Sequence, residues 1–208
     1  MLPVKVTKLL IGSTNPAKIE EWTKFFKDTF EILHLKNFPN IDDLEETGET
    51  FAENARNKAS HYAKLTNEYT FAEDGGFEID ALGGAPGVHS RRIFPGKKEA
   101  TDEEIVEYVL KKLEGLPKEK RTSRLKVAVA ISDPNGKIIF EDFGSIGGYV
   151  LEKRDDSPII PGYPYRNLLY IPELNKTYAQ ASDEDHRRIN HKKIIANKLK
   201  QFLLNYEG

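Results

Sequence analysis

Two adjacent carboxylates, Glu73 and Asp74, end a short β-prone run and are followed at once by two glycines. A strand that stops on acids presents them at a sheet edge, where open α/β sheets tend to bind ligands. A second glycine-rich loop follows at 83–87, and glycines let a backbone approach a ligand closely. Taken alone, the stretch is equally compatible with a hairpin that carries solvated acids.

Ser13, Asn15 and Lys18 surround a polar turn between a predicted strand and a predicted helix. The N–H groups at a helix start and the helix dipole together favour an anion there. Lys18 falls in the first helical turn, where the dipole disfavours a cation, and a bound phosphate would remove that conflict. An ordinary turn with an exposed lysine is the alternative, and the turn alone favours it.

Two other lysines lie where helical periodicity predicts an apolar stripe. Lys58 falls between Phe51 and Tyr62 on one predicted helix, and Lys192 falls inside the stripe of the last predicted helix, with His191 at its edge. A lysine in such a stripe either extends its ammonium to solvent or meets a buried anion. The first outcome is the commoner one.

These residues together could handle a polyphosphate. Carboxylates at Glu46, Glu73 and Asp74 could hold Mg²⁺, which binds a few acids together with waters and substrate phosphates. The three lysines, His191 and the turn at 13–15 could surround the phosphates, as phosphoryl transfer requires. The chain has neither a P-loop nor a G-x-G-x-x-G motif, so a kinase, P-loop or Rossmann function has no support.

Composition narrows the class of protein. The 208 residues include 31 basic and 33 acidic side chains, with a net charge of -2, 38% hydrophobic residues and no cysteine. Near-neutral charge gives no support for nucleic-acid or membrane binding, and without cysteine there are no disulfides or thiolate chemistry. Residues 1–5 lack the pattern of a signal peptide, and no apolar run is long enough for a bilayer. We expect a cytoplasmic protein.

Hydrophobic spacing predicts strands and helices in mixed order. Strands are predicted at 6–11, 31–35, 69–71, 125–132, 137–146 and 168–171, and helices at 17–30, 51–65, 101–114 and 183–206. This order favours an α/β or α+β fold with a central mixed sheet, helices around it, and two lobes with a cleft. No linker clearly divides the chain, so residues 1–208 are predicted to form a single domain.

The sequence resembles the inosine triphosphate pyrophosphatases, which hydrolyse non-standard purine nucleoside triphosphates to the monophosphate and pyrophosphate. The resemblance covers nearly the whole chain, through four blocks in the family's order. They are Ser13-Thr14-Asn15-Pro16-Ala17-Lys18, Glu45-Glu46-Thr47-Gly48, Phe51 to Lys58 with Glu53-Asn54-Ala55, and Glu73-Asp74 followed by Leu82-Gly83-Gly84-Ala85-Pro86-Gly87. Each block alone is weak, but four in order are a strong signal.

The resemblance implies roles for these residues and an elongated α/β fold with a central active-site cleft, usually in a homodimer. Substrates would be ITP, dITP and XTP. Mg²⁺ would be held by Glu46 and Asp74, with Glu73 assisting, and Asp74 would orient or deprotonate the attacking water. Residues implied in substrate binding are Ser13, Asn15, Lys18, Lys58, Gly75, Tyr163, Tyr165, Arg166, His186, His191 and Lys192.

The C-terminal third departs from the family pattern. Where the family has G-F-G-[YW]-D-P, the chain has a block at 162–167 in which Arg166 takes the place of the aspartate. The family's S-H-R becomes Asn190-His191-Lys192, and His186 stands where a lysine is usual. Arg166 exchanges an acceptor for a cation with five donors. Two alternatives follow: the same reaction on a different or modified nucleotide, or a nucleotide-binding protein without catalysis.

Overall fold

The computed structural model describes residues 6–94 and 100–207, so the prediction on residues 1–5 lies outside the described part. Its strands are β1 (Lys8–Ile11), β2 (Glu31–His34), β3 (Thr70–Ile79), β4 (Pro86–Gly87), β5 (Thr122–Ser132), β6 (Ile138–Val150), β7 (Leu169–Ile171) and β8 (Lys176–Thr177). Its helices are α1 (Pro16–Phe26), α2 (Phe51–Thr66), α3 (Asp102–Lys112), α4 (Asp183–Ile189) and α5 (His191–Leu204).

The strands form one mixed sheet in the order β2-β1-β3-β5-β6-β7-β8, with β4 paired to β3. β1 runs parallel to β2 and to β3, whereas β3 with β4, β6 with β7, and β7 with β8 are antiparallel. The predicted α/β class, a mixed central sheet flanked by helices, is confirmed. Within the described ranges, no helix has both the length and the apolar character needed to cross a bilayer.

The chain divides into two compact units, each built from separate stretches. The first comprises Met1–Asp74, Val127–Gly144 and His191–Gly208, and the second comprises Gly75–Lys126 and Ser145–Asn190. The single domain over 1–208 stays a prediction.

The core of the first unit forms around aromatic side chains of α1 and β3. Trp22 stacks on Phe26, with ring centroids 5.6 Å apart, and lies 4.5 Å from the ring of Phe71. All three are fully buried, and α5 adds Leu199 and Leu203. Asn15 caps α1, and a reciprocal capping box caps α2, so both helices begin at residues fixed by the sequence.

The core of the second unit lies against α3. The predicted apolar side of that helix, with Ile105 and Val109, packs in a cluster with Phe77 and Ile79 of β3. The buried Arg121 guanidinium donates to the carbonyls of Leu113, Val150 and Leu151 at 2.7, 2.8 and 2.6 Å. Arg121 thereby joins the end of α3 to the end of β6.

Two sequence predictions are wrong. β3 does not stop at the acids but continues to Ile79, because Phe77 and Ile79 are buried and Phe77 pairs with Gly87 of β4. The predicted helix over 183–206 is two helices, interrupted at Asn190, which has φ -71° and ψ 93°. Asparagine favours such non-helical conformations because its side chain competes for local backbone hydrogen bonds.

Candidate active site

The turn between β1 and α1 presents the first group of predicted site residues. A Cβ on Gly12 would lie 2.9 Å from Tyr62 Cδ2, so only glycine fits there without displacing a neighbour. Ser13 Oγ accepts a hydrogen bond from Asn15 N at 3.2 Å. Asn15 Oδ1 accepts from Ala17 N at 3.0 Å and from Lys18 N at 3.3 Å. This capping uses only the oxygen of the Asn15 amide and leaves its two N–H donors for another partner.

Lys18 and Lys192 converge on Glu73, whose side chain is only 3% exposed. Lys18 Nζ lies 3.2 Å from Glu73 Oε1, and Lys192 Nζ lies 3.4 Å from Oε2. Trp22 Nε1 donates to Oε2 at 2.6 Å. Lys192 also donates to Glu21 at 2.8 Å. We call Lys18, Glu21, Trp22, Glu73 and Lys192 the Glu73 cluster.

Charge balance fixes the ionisation of this cluster. Burial alone would raise the pKa of Glu73, but Lys192, Lys18 and the Trp22 hydrogen bond outweigh it and lower the pKa to about 2. Burial alone would lower the pKa values of the two lysines. The attraction of Glu73, assisted by other nearby carboxylates, raises both pKa values above the ordinary lysine value. All three groups are therefore charged at neutral pH.

A second ionic group forms around Lys58, whose ammonium lies 2.5 Å from Glu46 Oε1 and 3.9 Å from Asp74 Oδ1. Asn54 Nδ2 donates to Asp74 Oδ2 at 2.9 Å, while Asn54 Oδ1 accepts from Gly48 N at 2.8 Å. Asp74 is 5% exposed. Burial raises its pKa above the ordinary aspartate value, although Lys58 and Lys18 oppose the shift. A buried carboxylate with a raised pKa is a stronger base than an exposed one.

The three predicted metal ligands differ in their surroundings. Across residues 6–94 and 100–207, no group of three or more histidine or acidic side chains is arranged to hold a metal ion. Glu46 and Asp74 both face the ammonium of Lys58, and two carboxylates with waters and substrate phosphates suit Mg²⁺. Both Glu73 oxygens already accept from lysine or tryptophan donors. One ammonium faces both Glu46 and Asp74, which leaves a net negative charge there, whereas two ammonium groups face Glu73. On charge, Glu46 and Asp74 therefore fit the metal better than Glu73.

In the second unit, Arg166 lies near two other predicted substrate-binding residues, Tyr163 and His186. Its guanidinium carbon lies 4.0 Å from the ring centroid of Tyr163 and 5.2 Å from that of Tyr178. The ring of His186 meets Tyr178 edge-on at 5.0 Å. We call Tyr163, Arg166, Tyr178 and His186 the Arg166 cluster. It presents a cation and aromatic faces, which suit a planar ligand with acceptor atoms.

Other predicted residues occupy different surroundings. Tyr165 lies in the core of the second unit, where its ring stacks on Phe77 at 4.7 Å and its hydroxyl donates to the Ser90 carbonyl at 2.5 Å. Gly75 lies within β3, directly after Asp74. His191 is the first residue of α5 and is buried. The contacts give Tyr165 a packing role in the core.

Sequence reasoning missed Trp22, Glu21, Asn54 and Tyr178. Glu21 and Trp22 follow Lys18 by three and four residues, and Asn54 precedes Lys58 by four. Residues at these separations share one helix face, so the lysines could have pointed to them. Tyr178 has no comparable sequence signal.

Comparison with known proteins identifies the family of this chain. A profile of the Ham1 family matches residues 9–202. The chain is 37% identical over 197 residues to a dITP/XTP pyrophosphatase of Listeria monocytogenes, covering 94% of this chain and 93% of that protein. It is 34% identical over 197 residues to a dITP/XTP pyrophosphatase of Desulforamulus reducens, covering 94% and 95%.

Solved structures of Ham1 proteins are also similar to this chain. The Ham1 protein of Staphylococcus aureus has a TM-score of 0.79 and 31% identity, covering 95% of this chain and 98% of that one. A HAM1 protein from Coxiella burnetii has a TM-score of 0.83 and 28% identity, covering 97% and 100%. Sequence and fold agree over nearly the full length, and the chain belongs to the Ham1 family.

Proposed function

We propose that this protein hydrolyses non-standard purine nucleoside triphosphates, such as ITP, dITP and XTP, to the nucleoside monophosphate and pyrophosphate. The observation that carries the proposal is the pair of buried lysine–carboxylate groups around Lys58 and Glu73. Relatives named dITP/XTP pyrophosphatase, matched over nearly all their length, support the substrate class.

The triphosphate binds at the turn between β1 and α1. The Ser13 hydroxyl and the amide N–H groups of Asn15 supply hydrogen-bond donors, because the first N–H groups of α1 already donate to Asn15. Lys18 and Lys58 supply positive charge. Lys18 is anchored by the buried Glu73. Lys58 is anchored by the partly exposed Glu46 and the buried Asp74. These contacts fix where the two positive charges lie before substrate arrives. Charges held in place in this way stabilise a phosphoryl-transfer transition state at little reorganisation cost.

Asp74 is the residue that orients the attacking water and accepts its proton. Its raised pKa suits a base, and the hydrogen bond from Asn54 fixes the direction of its carboxylate. Water attacks the α-phosphorus, the bond from that phosphorus to the bridging oxygen breaks, and pyrophosphate leaves. Glu46 and Asp74 would hold Mg²⁺, which when bound would neutralise charge on the phosphates.

The Asp74→Asn variant tests this function. We expect pyrophosphate release to fall at least a hundredfold, since loss of a positioned base typically has that effect, with an unchanged circular dichroism spectrum. Asp28→Asn, at an exposed position beyond the end of α1, is the matched control and keeps wild-type activity. Wild-type turnover in Asp74→Asn would contradict the assignment.

A second candidate keeps the reaction and changes the base. It rests on the Arg166 cluster, since an arginine stacked on tyrosine donates to acceptors such as purine O6 and N7. Arg166→Asp then shifts relative kcat/KM among nucleotides with different bases. Lys118→Asp, which removes another cation stacked on a tyrosine of the same unit, is the control. Identical nucleotide preference in Arg166→Asp and wild type would exclude this candidate.

The homodimer, Mg²⁺ dependence and cytoplasmic location complete the proposal. The resemblance stated above is their support. Analytical ultracentrifugation of the full chain tests the dimer, and replacing MgCl₂ with a chelator tests the metal. A monomer at the concentration of the activity assay would contradict the proposed homodimer. Full turnover in the chelator would contradict the proposed Mg²⁺ dependence.

A further inference from the structure

We propose that Glu73 is a positioning residue for the proposed reaction: its buried carboxylate holds Lys18 and Lys192 in place, and it does not ligate the metal. The inference rests on the proposed function for its catalytic consequence. The geometry that carries it is the convergence of Trp22, Lys18 and Lys192 on the two oxygens of Glu73.

The two neighbouring acids belong to different surroundings. Glu73 and Asp74 are successive residues of β3, and successive side chains of a strand point to opposite faces of the sheet. Glu73 contacts residues of α1 and α5, whereas Asp74 contacts Asn54 and Lys58 of α2. The two acids therefore contact different side chains, while the charge of Lys18 acts on both of them, and different roles follow.

Both lysines held by Glu73 lie in the first turn of a helix. Lys18 is the third residue of α1. Lys192 is the second residue of α5, because the helical conformation is interrupted at Asn190 and a new helix begins at His191. A cation in a first turn opposes the helix dipole, and burial adds a desolvation cost. One carboxylate offsets both conflicts, and Glu21 supplies a second anion to Lys192.

Metal ligation by Glu73 would undo this arrangement. A cation at Oε1 would have to displace Lys18, and a cation at Oε2 would have to displace the Trp22 N–H and Lys192. The displaced ammonium would then be buried beside a divalent ion. Without Glu73, Lys18 and Lys192 face each other as like charges, and Lys18 loses the anchor that fixes it near the turn at 13–15.

The test compares Glu73→Gln with Glu46→Gln, and Glu20→Gln is the control because it removes only an exposed pair with Lys24. The first readout is Mg²⁺ affinity by isothermal titration with MgCl₂. We expect Glu73→Gln to stay within twofold of wild type while Glu46→Gln weakens at least tenfold. Weakening in Glu73→Gln as large as in Glu46→Gln would overturn the proposal.

The second readout uses Trp22, the single tryptophan of the chain, whose indole donates to Glu73. Inorganic tripolyphosphate is titrated into metal-free protein while tryptophan fluorescence is followed. Wild type and Glu20→Gln give the same saturable change, and in Glu73→Gln the half-saturation concentration rises at least fivefold because Lys18 is displaced. An unchanged half-saturation in Glu73→Gln would overturn the positioning role.

A double variant guards against a simple folding defect. Glu73→Gln with Lys192→Met removes one anion and one cation together, so the cluster regains its charge balance and the protein folds. Lys192→Met alone is the reference, because Lys192 is itself a predicted substrate-binding residue. The half-saturation concentration of tripolyphosphate is at least fivefold higher in the double variant than in Lys192→Met if Glu73 anchors Lys18, and equal values contradict the proposal. Neither titration requires turnover, so the absence of pyrophosphate release from every nucleotide would remove the proposed function alone.

Discussion

Acid should destabilise this protein through Glu73 in a way that can be calculated. The folded-state pKa of Glu73 is about 2, against an ordinary value of 4.5. A group whose pKa is depressed on folding contributes stability that is fully present above the unfolded pKa and is lost as the pH falls towards the folded one. The window therefore runs from about pH 4.5 down to about pH 2. Lys18 and Lys192, with raised pKa values, stay protonated throughout it.

The size of the loss follows from the two pKa values. Complete protonation of Glu73 corresponds to about 3 kcal/mol, and by pH 3 the linkage relation gives a loss of about 2 kcal/mol. Urea unfolding followed by circular dichroism, at several pH values between 7 and 3, measures the free energy of unfolding of wild type, Glu73→Gln and the exposed control Glu20→Gln.

The informative quantity is the difference in the free energy of unfolding between wild type and Glu73→Gln. It should shrink by about 2 kcal/mol between pH 7 and pH 3, because only wild type has an ionised Glu73 to protonate. Glu20→Gln should follow wild type at every pH. A difference between wild type and Glu73→Gln that is independent of pH would refute the reasoning, since it would mean that folding does not lower the pKa of Glu73.

Three further variants separate chemistry from stability. Lys58→Met removes the cation between two carboxylates, so turnover should fall at least a hundredfold with an unchanged dichroism spectrum; near-normal turnover would contradict this. Gly48→Ala places a Cβ 2.6 Å from Asn54 Oδ1, so displacement of Asn54 should lower kcat about tenfold, and unchanged kcat would show that Asn54 needs no fixed position. Arg121→Met removes three hydrogen bonds to main-chain carbonyls, of which the Leu113 carbonyl keeps Leu116 N as a donor, and this should cost about 3 kcal/mol of unfolding free energy. Urea unfolding measures the loss, and a loss below about 1 kcal/mol would count against the prediction.

The sequence predicted the charged groups of the site better than their pairing. Lys58 and Lys192 in apolar stripes indicated either solvent-directed ammonium groups or buried anions, and the structure supplies anions in both cases. Helical periodicity locates a side chain on a face but does not name its partner on a distant segment. The contact of Lys192 with Glu73 joins residues far apart in the chain, and no local pattern specifies it.

Local signals also failed where burial overrode them. Two glycines after Asp74 indicated the end of a strand, yet the buried Phe77 and Ile79 and the pairing with β4 extend the strand past them. The apolar repeat of the last helix continued through Asn190, so the repeat alone could not reveal the break there. Tyr165 is packed in the core beside Phe77, and the substrate-binding role that the resemblance implies for it stays a prediction.

Product identity tests the central claim most directly. The full-length protein is incubated with dITP, XTP and dATP in MgCl₂, and nucleotides, pyrophosphate and orthophosphate are separated by ion-exchange chromatography. The account predicts equal amounts of nucleoside monophosphate and pyrophosphate from dITP and XTP, much less from dATP, and none with Asp74→Asn. Nucleoside diphosphate with orthophosphate, or no product from any nucleotide, would contradict it.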